Sequence, residues 1–209
     1  MLRFALAAAV LLFAGPSFAD DEWQRGRLAA GPHVTQLSLY DAETGAELDM
    51  GGMGGAMRLR ASRRIGLEGG IDVLAADQKT PGDSGRVSRI TTPITGSMLV
   101  YGWPDSRFQP YLLGGFGVAG HSVRYEAIGE RLDFGTPLIQ FGLGFEYRWE
   151  VVRLDVSLRS MALYRDGEDV ERRPLEKGTY DAQPAAYRPL TGDRELEGAM
   201  LNIGMLWGF

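Results

Sequence analysis

The sequence contains no cysteine, which excludes disulfide bonds, thiol nucleophiles and cysteine-ligated metal sites. It also lacks a continuous basic patch: acidic and basic residues are mixed along the chain, with a net charge of −5, so we expect no nucleic-acid partner. After the first residues no stretch of 18 consecutive apolar residues occurs, and no long segment repeats apolar residues with a helical period. Helices are therefore not the main architecture.

The amino terminus has the pattern of a secretory signal peptide. Arg3 gives a positive start, residues 4–14 form an apolar core, and Ser17-Phe18-Ala19 resembles a cleavage site. The apolar core is well short of the roughly 20 residues that a membrane-spanning helix needs. We therefore predict a signal peptide over residues 1–19 and one domain over residues 20–209.

The remaining chain alternates apolar and polar residues in segments separated by clusters of Gly, Pro, Asp and charged residues, which predicts strands and turns. The predicted strands cover residues 26–40, 53–61, 65–76, 86–102, 107–120, 133–148, 151–165 and 195–209. Short connections (62–64, 103–106 and 149–150) alternate with long ones (41–52, 77–85, 121–132 and 166–194). This alternation is typical of transmembrane barrels. The predicted fold is all-β: a closed antiparallel up-and-down transmembrane β-barrel of about eight strands.

The last predicted strand carries the clearest signal. Side chains alternate between the two faces of a strand, so one face holds only apolar residues. These are Ala199, Leu201, Ile203, Met205, Trp207 and Phe209. The other face is mostly small or polar. In a soluble protein two large aromatic side chains would be exposed at this end, whereas a membrane would cover them.

Other strands repeat this arrangement, with apolar residues on one face and charged residues on the other. The charged side chains predicted to face the barrel interior are Arg58, Arg60, Glu68, Asp72, Glu146, Arg148, Arg153, Asp155 and Arg159. The interior of an eight-stranded barrel is only wide enough for side chains to fill it. We therefore expect these charges to pair and plug the interior. A selective channel is the alternative. The faces of the first, fourth and fifth strands are left unassigned.

Aromatic residues cluster near the predicted strand ends, as expected of the girdles at membrane interfaces. Those predicted at the periplasmic rim are Tyr101, Trp103, Trp149, Trp207 and Phe209, and those at the outer rim are Tyr40 and Tyr164.

Three features together resemble the small eight-stranded outer-membrane barrel proteins, the group that contains the OmpA transmembrane domain, OmpX and OmpW. They are the signal ending at Ala19, the segment FQPYLLGGFG over residues 108–117, and the terminal segment LNIGMLWGF over residues 201–209. The resemblance implies an outer-membrane location, contact with outer-membrane lipid and lipopolysaccharide, and insertion by the barrel-assembly machinery. It implies no cofactor. No peptidoglycan-binding domain follows the barrel, so we do not expect a tether to the cell wall.

Few residues suggest chemistry. His121, Ser122 and Glu126 superficially resemble a catalytic set, but adjacent residues on a strand point to opposite faces, so we expect no catalysis. His33 stands alone. The loop 166–194 begins with acidic residues followed by Arg172 and Arg173, which could hold a divalent cation or contact lipopolysaccharide, although a solvated loop is the simpler interpretation. The glycine pairs precede no helix and do not predict a phosphate site.

The leading hypothesis is a non-enzymatic outer-membrane protein with a structural or surface-interaction role, acting chiefly through loop 166–194. The alternatives are a narrow transporter for small or apolar solutes and, third, an enzyme that modifies lipids of the outer leaflet. A soluble periplasmic barrel is a rival at the level of the fold. The sequence indicates neither a metal site nor an oligomeric state.

Overall fold

The computed structural model describes residues 27–41, 46–79, 86–126, 129–164 and 195–209, so the predicted signal peptide and the loop 166–194 lie outside the described residues. Eight antiparallel strands pair with their sequence neighbours, and the last pairs with the first, which closes the barrel and confirms the predicted fold. The strands are β1 (Leu28–Asp41), β2 (Ala46–Arg60), β3 (Ile65–Lys79), β4 (Arg86–Tyr101), β5 (Phe108–Tyr125), β6 (Glu130–Trp149), β7 (Val152–Tyr164) and β8 (Glu195–Gly208). Within these ranges no helix is long and apolar enough to cross a membrane.

The two ends of the barrel differ in their connections. The turn end carries the start of β1, the end of β8 and the short connections 61–64, 102–107 and 150–151. The loop end carries the connections 42–45, 80–85, 126–129 and 165–194. Of the connections at the loop end, only 165–194 is longer than those at the turn end. Long loops are extracellular in barrels of this kind, so we predict that the turn end is the periplasmic side.

Two of the predicted long loops are wrong, because the strands beside them run further. β2 begins at Ala46 instead of residue 53, and its Gly51 and Gly52 pair with Gln36 and Thr35 of β1. Glycine clusters are read as turn signals, yet their backbone groups form ladder hydrogen bonds as well as any other residue. Likewise β5 reaches residue 125 and β6 begins at residue 130, which leaves a connection of four residues that ends with Gly129 at φ 69°.

The outward face of the sheet is apolar over most of its height, which confirms the predicted faces of β2, β3, β6, β7 and β8. Phe116 and Phe141 are 75% and 64% exposed, far more than a soluble protein normally leaves to water. The strands left unassigned by the sequence follow the same rule, since Ile94 on β4 and Val34 on β1 also point outward. This apolar surface is suited to lipid.

The aromatic residues that the sequence places at the two rims lie there, with one exception. Trp103, Trp149, Trp207 and Phe209 are exposed at the turn end, and Tyr40 and Tyr164 are exposed at the loop end. The prediction for Tyr101 is wrong. Its position on β4 shares the inward phase of the buried Leu99, so its ring lies inside the barrel and is 1% exposed.

The interior has two layers. At the turn end it is charged. Toward the loop end β4, β5 and β6 contribute the buried polar side chains of Arg89, Thr91, His121 and Thr136. Beside them lies an apolar cluster whose members are buried: Leu37, Leu39, Leu48, Met50, Leu74, Ala119, Leu138, Met161, Leu163, Leu196 and Met200. The sequence predicted a charged plug only, so the apolar layer is a feature that the strand-by-strand analysis missed.

Candidate functional site in the barrel interior

The charged layer is built from β2, β3, β6 and β7. Strand register places Arg58 directly opposite Glu68, and Glu146 directly opposite Asp155. Inward-facing positions recur at every second residue, so Arg60, Arg153 and Arg159 enter the same layer. The seven side chains are all buried.

Arg58 is the centre of this layer. Its Nε donates to Glu68 Oε2 at 2.6 Å, and its terminal nitrogens donate to both carboxylate oxygens of Asp155 at 2.6 and 2.8 Å. A further contact of 3.3 Å joins Nη1 to Glu146, and Nη2 lies 3.1 Å from the Tyr111 hydroxyl. One guanidinium thus neutralises carboxylates from three strands, with a bidentate geometry toward Asp155.

Glu146 is a second centre, closer to the turn end. Its Oε1 lies 3.5 Å from Arg60 Nη2, 3.4 Å from Arg153 Nη1 and 3.8 Å from Arg148 Nε. The Tyr101 hydroxyl donates to Oε2 of the same carboxylate at 3.4 Å. With Arg58, whose Nη1 lies 3.3 Å from Oε2, four arginines therefore share one buried carboxylate. Arg148, whose side chain is 22% exposed, has the loosest contact.

Neutral side chains complete the layer. Arg60 donates to the Gln109 side-chain oxygen and stacks on the Tyr101 ring, 3.6 Å from its centroid. The Tyr111 hydroxyl donates to Asp155 Oδ1 at 2.8 Å. The sequence analysis missed Tyr101, Gln109 and Tyr111. The signal was present, because Gln109 and Tyr111 alternate with Phe108, Pro110 and Leu112 at the start of β5.

The structure separates Asp72 from the other eight predicted residues. Asp72 accepts a hydrogen bond of 2.6 Å from Thr35 Oγ1 and lies 2.6 Å from His33 Nε2. The three residues come from β1 and β3, on either side of Gly54 of β2. A Cβ on Gly54 would lie 2.7 Å from His33 Nε2 and would collide with the Asp72 carboxylate, so glycine is needed for the two strands to meet across the third.

His121 contacts two threonine hydroxyls and an aromatic ring. Its Nδ1 lies 3.0 Å from Thr91 Oγ1 and its Nε2 lies 2.9 Å from Thr136 Oγ1, while its ring stacks on Phe134. Ser122 points to the opposite face of β5, as strand geometry requires. Both ring nitrogens are thus engaged away from the serine. Among the described residues there is also no group of three metal-ligating side chains.

The chain resembles a known protein family and several solved structures. The model of the outer membrane protein beta-barrel domain family matches residues 5–179. No curated protein matches the sequence. The solved structures that resemble the chain include Neisserial surface protein A, at 12% identity and a TM-score of 0.62, with 87% of this chain and 97% of that chain covered. They also include Ail, the attachment invasion locus protein of Yersinia pestis, at 12% identity and a TM-score of 0.50, with 88% and 99% covered.

At these identities the solved structures show a shared fold, that of small outer-membrane barrels. The family match covers most of the sequence, including the strands that supply the charged layer. The chain therefore belongs to the outer-membrane β-barrel domain family and is a protein of the cell outer membrane.

Proposed function

We propose that the protein is a closed, non-enzymatic barrel that acts through its surface, with a structural or surface-interaction role in the outer membrane. The observation that carries this proposal is the filling of the interior by two successive layers of different chemistry. The charged layer occupies the turn end, and the apolar cluster follows it toward the loop end.

The charged layer opposes transport because its members hold one another. Arg58 of β2 alone bonds to side chains of β3, β5, β6 and β7, so it connects five strands across the lumen. Opening a path here would leave buried carboxylates without partners, and breaking one buried pair typically costs about 3–5 kcal/mol.

The apolar layer opposes transport for a different reason. Leu37, Leu74 and Met200 are completely buried, so water does not reach them from either end. Apolar constrictions exclude water and ions even where side chains leave a narrow gap. A solute would have to cross both layers.

Because the interior is closed, we expect the protein to function through contacts of its outer surface. We expect the apolar band to contact outer-membrane lipid and the rim above it to contact lipopolysaccharide. The barrel-assembly machinery is the expected partner in insertion, through the apolar outward face of β8. A catalytic role is not supported, since His121 bonds to two threonines and Ser122 lies on the other face of its strand.

Single-channel recording in planar bilayers tests this proposal. The wild-type protein should give no conductance steps, whereas a narrow transporter, the second candidate, would give them and overturn the proposal. Three variants test the role of each layer. The first truncates the charged layer with Arg60→Ala, Glu146→Ala and Arg153→Ala. The second truncates the apolar layer with Leu37→Ala, Met161→Ala and Met200→Ala, and the third combines both sets. Only the combined variant should conduct. Conductance from either single-layer variant would contradict the role of the other layer.

A further inference from the structure

The outward surface at the loop end is divided by charge. On the side formed by β4, β5 and β6, Arg86, Arg124 and Arg131 are exposed and point outward. On the side formed by β8, β1 and β2, the charged outward residues near this rim are acidic: Glu47, Asp49 and Glu197. No outward strand position of β1, β2, β7 or β8 in the described part of the chain holds Lys or Arg.

Two of the arginines face each other in the sheet. Arg124 of β5 and Arg131 of β6 are directly opposite partners in the strand register. Like charges in this position repel and destabilise a sheet. Arg131 contacts Asp133 at 3.0 Å and Arg86 contacts Asp77 at 3.5 Å, and Glu126 is exposed two residues beyond Arg124. Among the described residues no ion pair is formed by Arg124 itself. An additional anion between Arg124 and Arg131 would remove the repulsion.

A groove of about 440 Å³ lies directly below these arginines on the outward face. Its lining includes Gly120, which is paired with Gly135 across β5 and β6, so two neighbouring positions lack side chains. Ile90, Thr92, His121, Ser122, Asp133 and Phe134 also line it. A Cβ on Gly120 would come no closer than 4.0 Å to another atom, which leaves the space open on this surface.

The depth of the groove fits a lipid interface. Outward residues of β5 are apolar or glycine from Phe108 to Gly120, and polar residues begin at Ser122. Arg124 lies four residues beyond Gly120, which corresponds to about 10 Å along the membrane normal for a tilted strand. The groove is therefore at the edge of the hydrocarbon layer, and the arginine pair is at the depth of lipid headgroups.

We propose that this surface, defined by Arg86, Arg124, Arg131 and the groove at Gly120, binds a phosphate-bearing lipid of the outer leaflet. The phosphate would lie between Arg124 and Arg131, and an acyl chain would lie in the groove. Guanidinium groups form charge-assisted, bidentate bonds with phosphate. The proposal rests on the lipid contact proposed above and deepens it by naming the residues of the site. It is independent of the closed interior, so either can fail alone.

Native mass spectrometry of the full chain in detergent tests the headgroup contact. The probes are bisphosphorylated lipid A, the same lipid without its phosphates, and inorganic phosphate. The amount of phosphorylated lipid that stays bound to the double variant Arg124→Gln/Arg131→Gln should be about one tenth of that bound to the wild type. The control Arg63→Gln/Arg107→Gln removes the same charge at the turn end and should retain it normally.

Gly120→Leu tests the groove, because its side chain fills the space without touching the backbone. We expect reduced retention of lipid, with no loss for the control Gly69→Leu, a glycine on the outward face of β3 with equally open surroundings. A heat-dependent gel shift verifies that each variant is folded. Equal retention of lipid with and without phosphates would overturn the proposal, as would wild-type behaviour of the arginine variant. Effective competition by inorganic phosphate would indicate a free-anion site instead of a lipid site.

Discussion

Replacement of Arg58 by methionine tests whether the charged layer holds the barrel together. Methionine keeps much of the length of the side chain, so the change removes charge and hydrogen bonds with little loss of volume. Glu68 would keep its contact with Arg159 at 2.8 Å, and Asp155 would keep the hydrogen bond from Tyr111. Asp155 would nevertheless lose its bidentate partner while it stays buried.

The expected loss of stability in Arg58→Met follows from the buried Asp155 carboxylate, which loses its bidentate partner. Loss of one partner of a buried ion pair costs about 3–5 kcal/mol, because the remaining charge stays desolvated. We expect a loss of this size in the free energy of unfolding for Arg58→Met. Arg148→Met is the matched control: Arg148 is partly exposed and its contact with Glu146 is 3.8 Å, so the expected cost is below about 1 kcal/mol.

Urea unfolding in lipid vesicles, followed by tryptophan fluorescence, measures these free energies. A double-mutant cycle identifies the cause. Asp155→Asn removes the carboxylate that Arg58→Met leaves without its bidentate partner. The loss in free energy of unfolding of the double variant should therefore be about 1–3 kcal/mol smaller than the sum of the losses of the two single variants. Additive effects, or equal losses for Arg58→Met and Arg148→Met, would refute a stabilising role for the network.

Two further predictions use the same unfolding assay. His121→Ala should cost about 1–2 kcal/mol, because two buried threonine hydroxyls lose their partner, while the lipid A profile of the cells stays identical by mass spectrometry. A changed lipid A profile would support an enzymatic role. Gly54→Ala should cost about 1–3 kcal/mol through its collision with the Ile71 backbone carbonyl and the side chains of His33 and Asp72, whereas Gly69→Ala should change the free energy of unfolding by less than about 0.5 kcal/mol. Equal effects of the two glycine changes would show that the crossing of β2 is not tight.

The fold could be predicted because strand geometry leaves a direct trace in the sequence. In β8, apolar residues at every second position from Leu201 to Phe209 identify the lipid face without knowledge of any other strand. The short turns were found because Pro104 and its polar neighbours interrupt this alternation. Strand ends at the loop end were harder, since Gly51 and Gly52 belong to a strand although glycine pairs also mark turns.

The partners inside the barrel could not be predicted in the same way. Alternation shows that Arg58 and Asp155 both point inward, but they are 97 residues apart in sequence, and their contact depends on the curvature and stagger of the closed sheet. The contact of His33 with Asp72 depends in addition on the missing side chain at Gly54. Sequence gives the face of each residue, and closure of the barrel decides which residues meet.

The two-layer interior has a physical explanation in the medium outside the barrel. In β2, Arg58 points inward and Met57 outward at the turn end, whereas Met50 points inward and Asp49 outward near the loop end. The spacing of two residues is unchanged, but the polarity of the faces is reversed. A strand in lipid must be apolar outside, and a strand that rises beyond the lipid must be polar outside and can form an apolar core inside. The same reversal occurs in β1, where exposed Val34 is followed by buried Leu37 and Leu39. On β1 and β2 the point of reversal therefore marks the outer edge of the membrane. On β5 the outward residues become polar between Gly120 and Arg124, which places the same edge at the proposed lipid site.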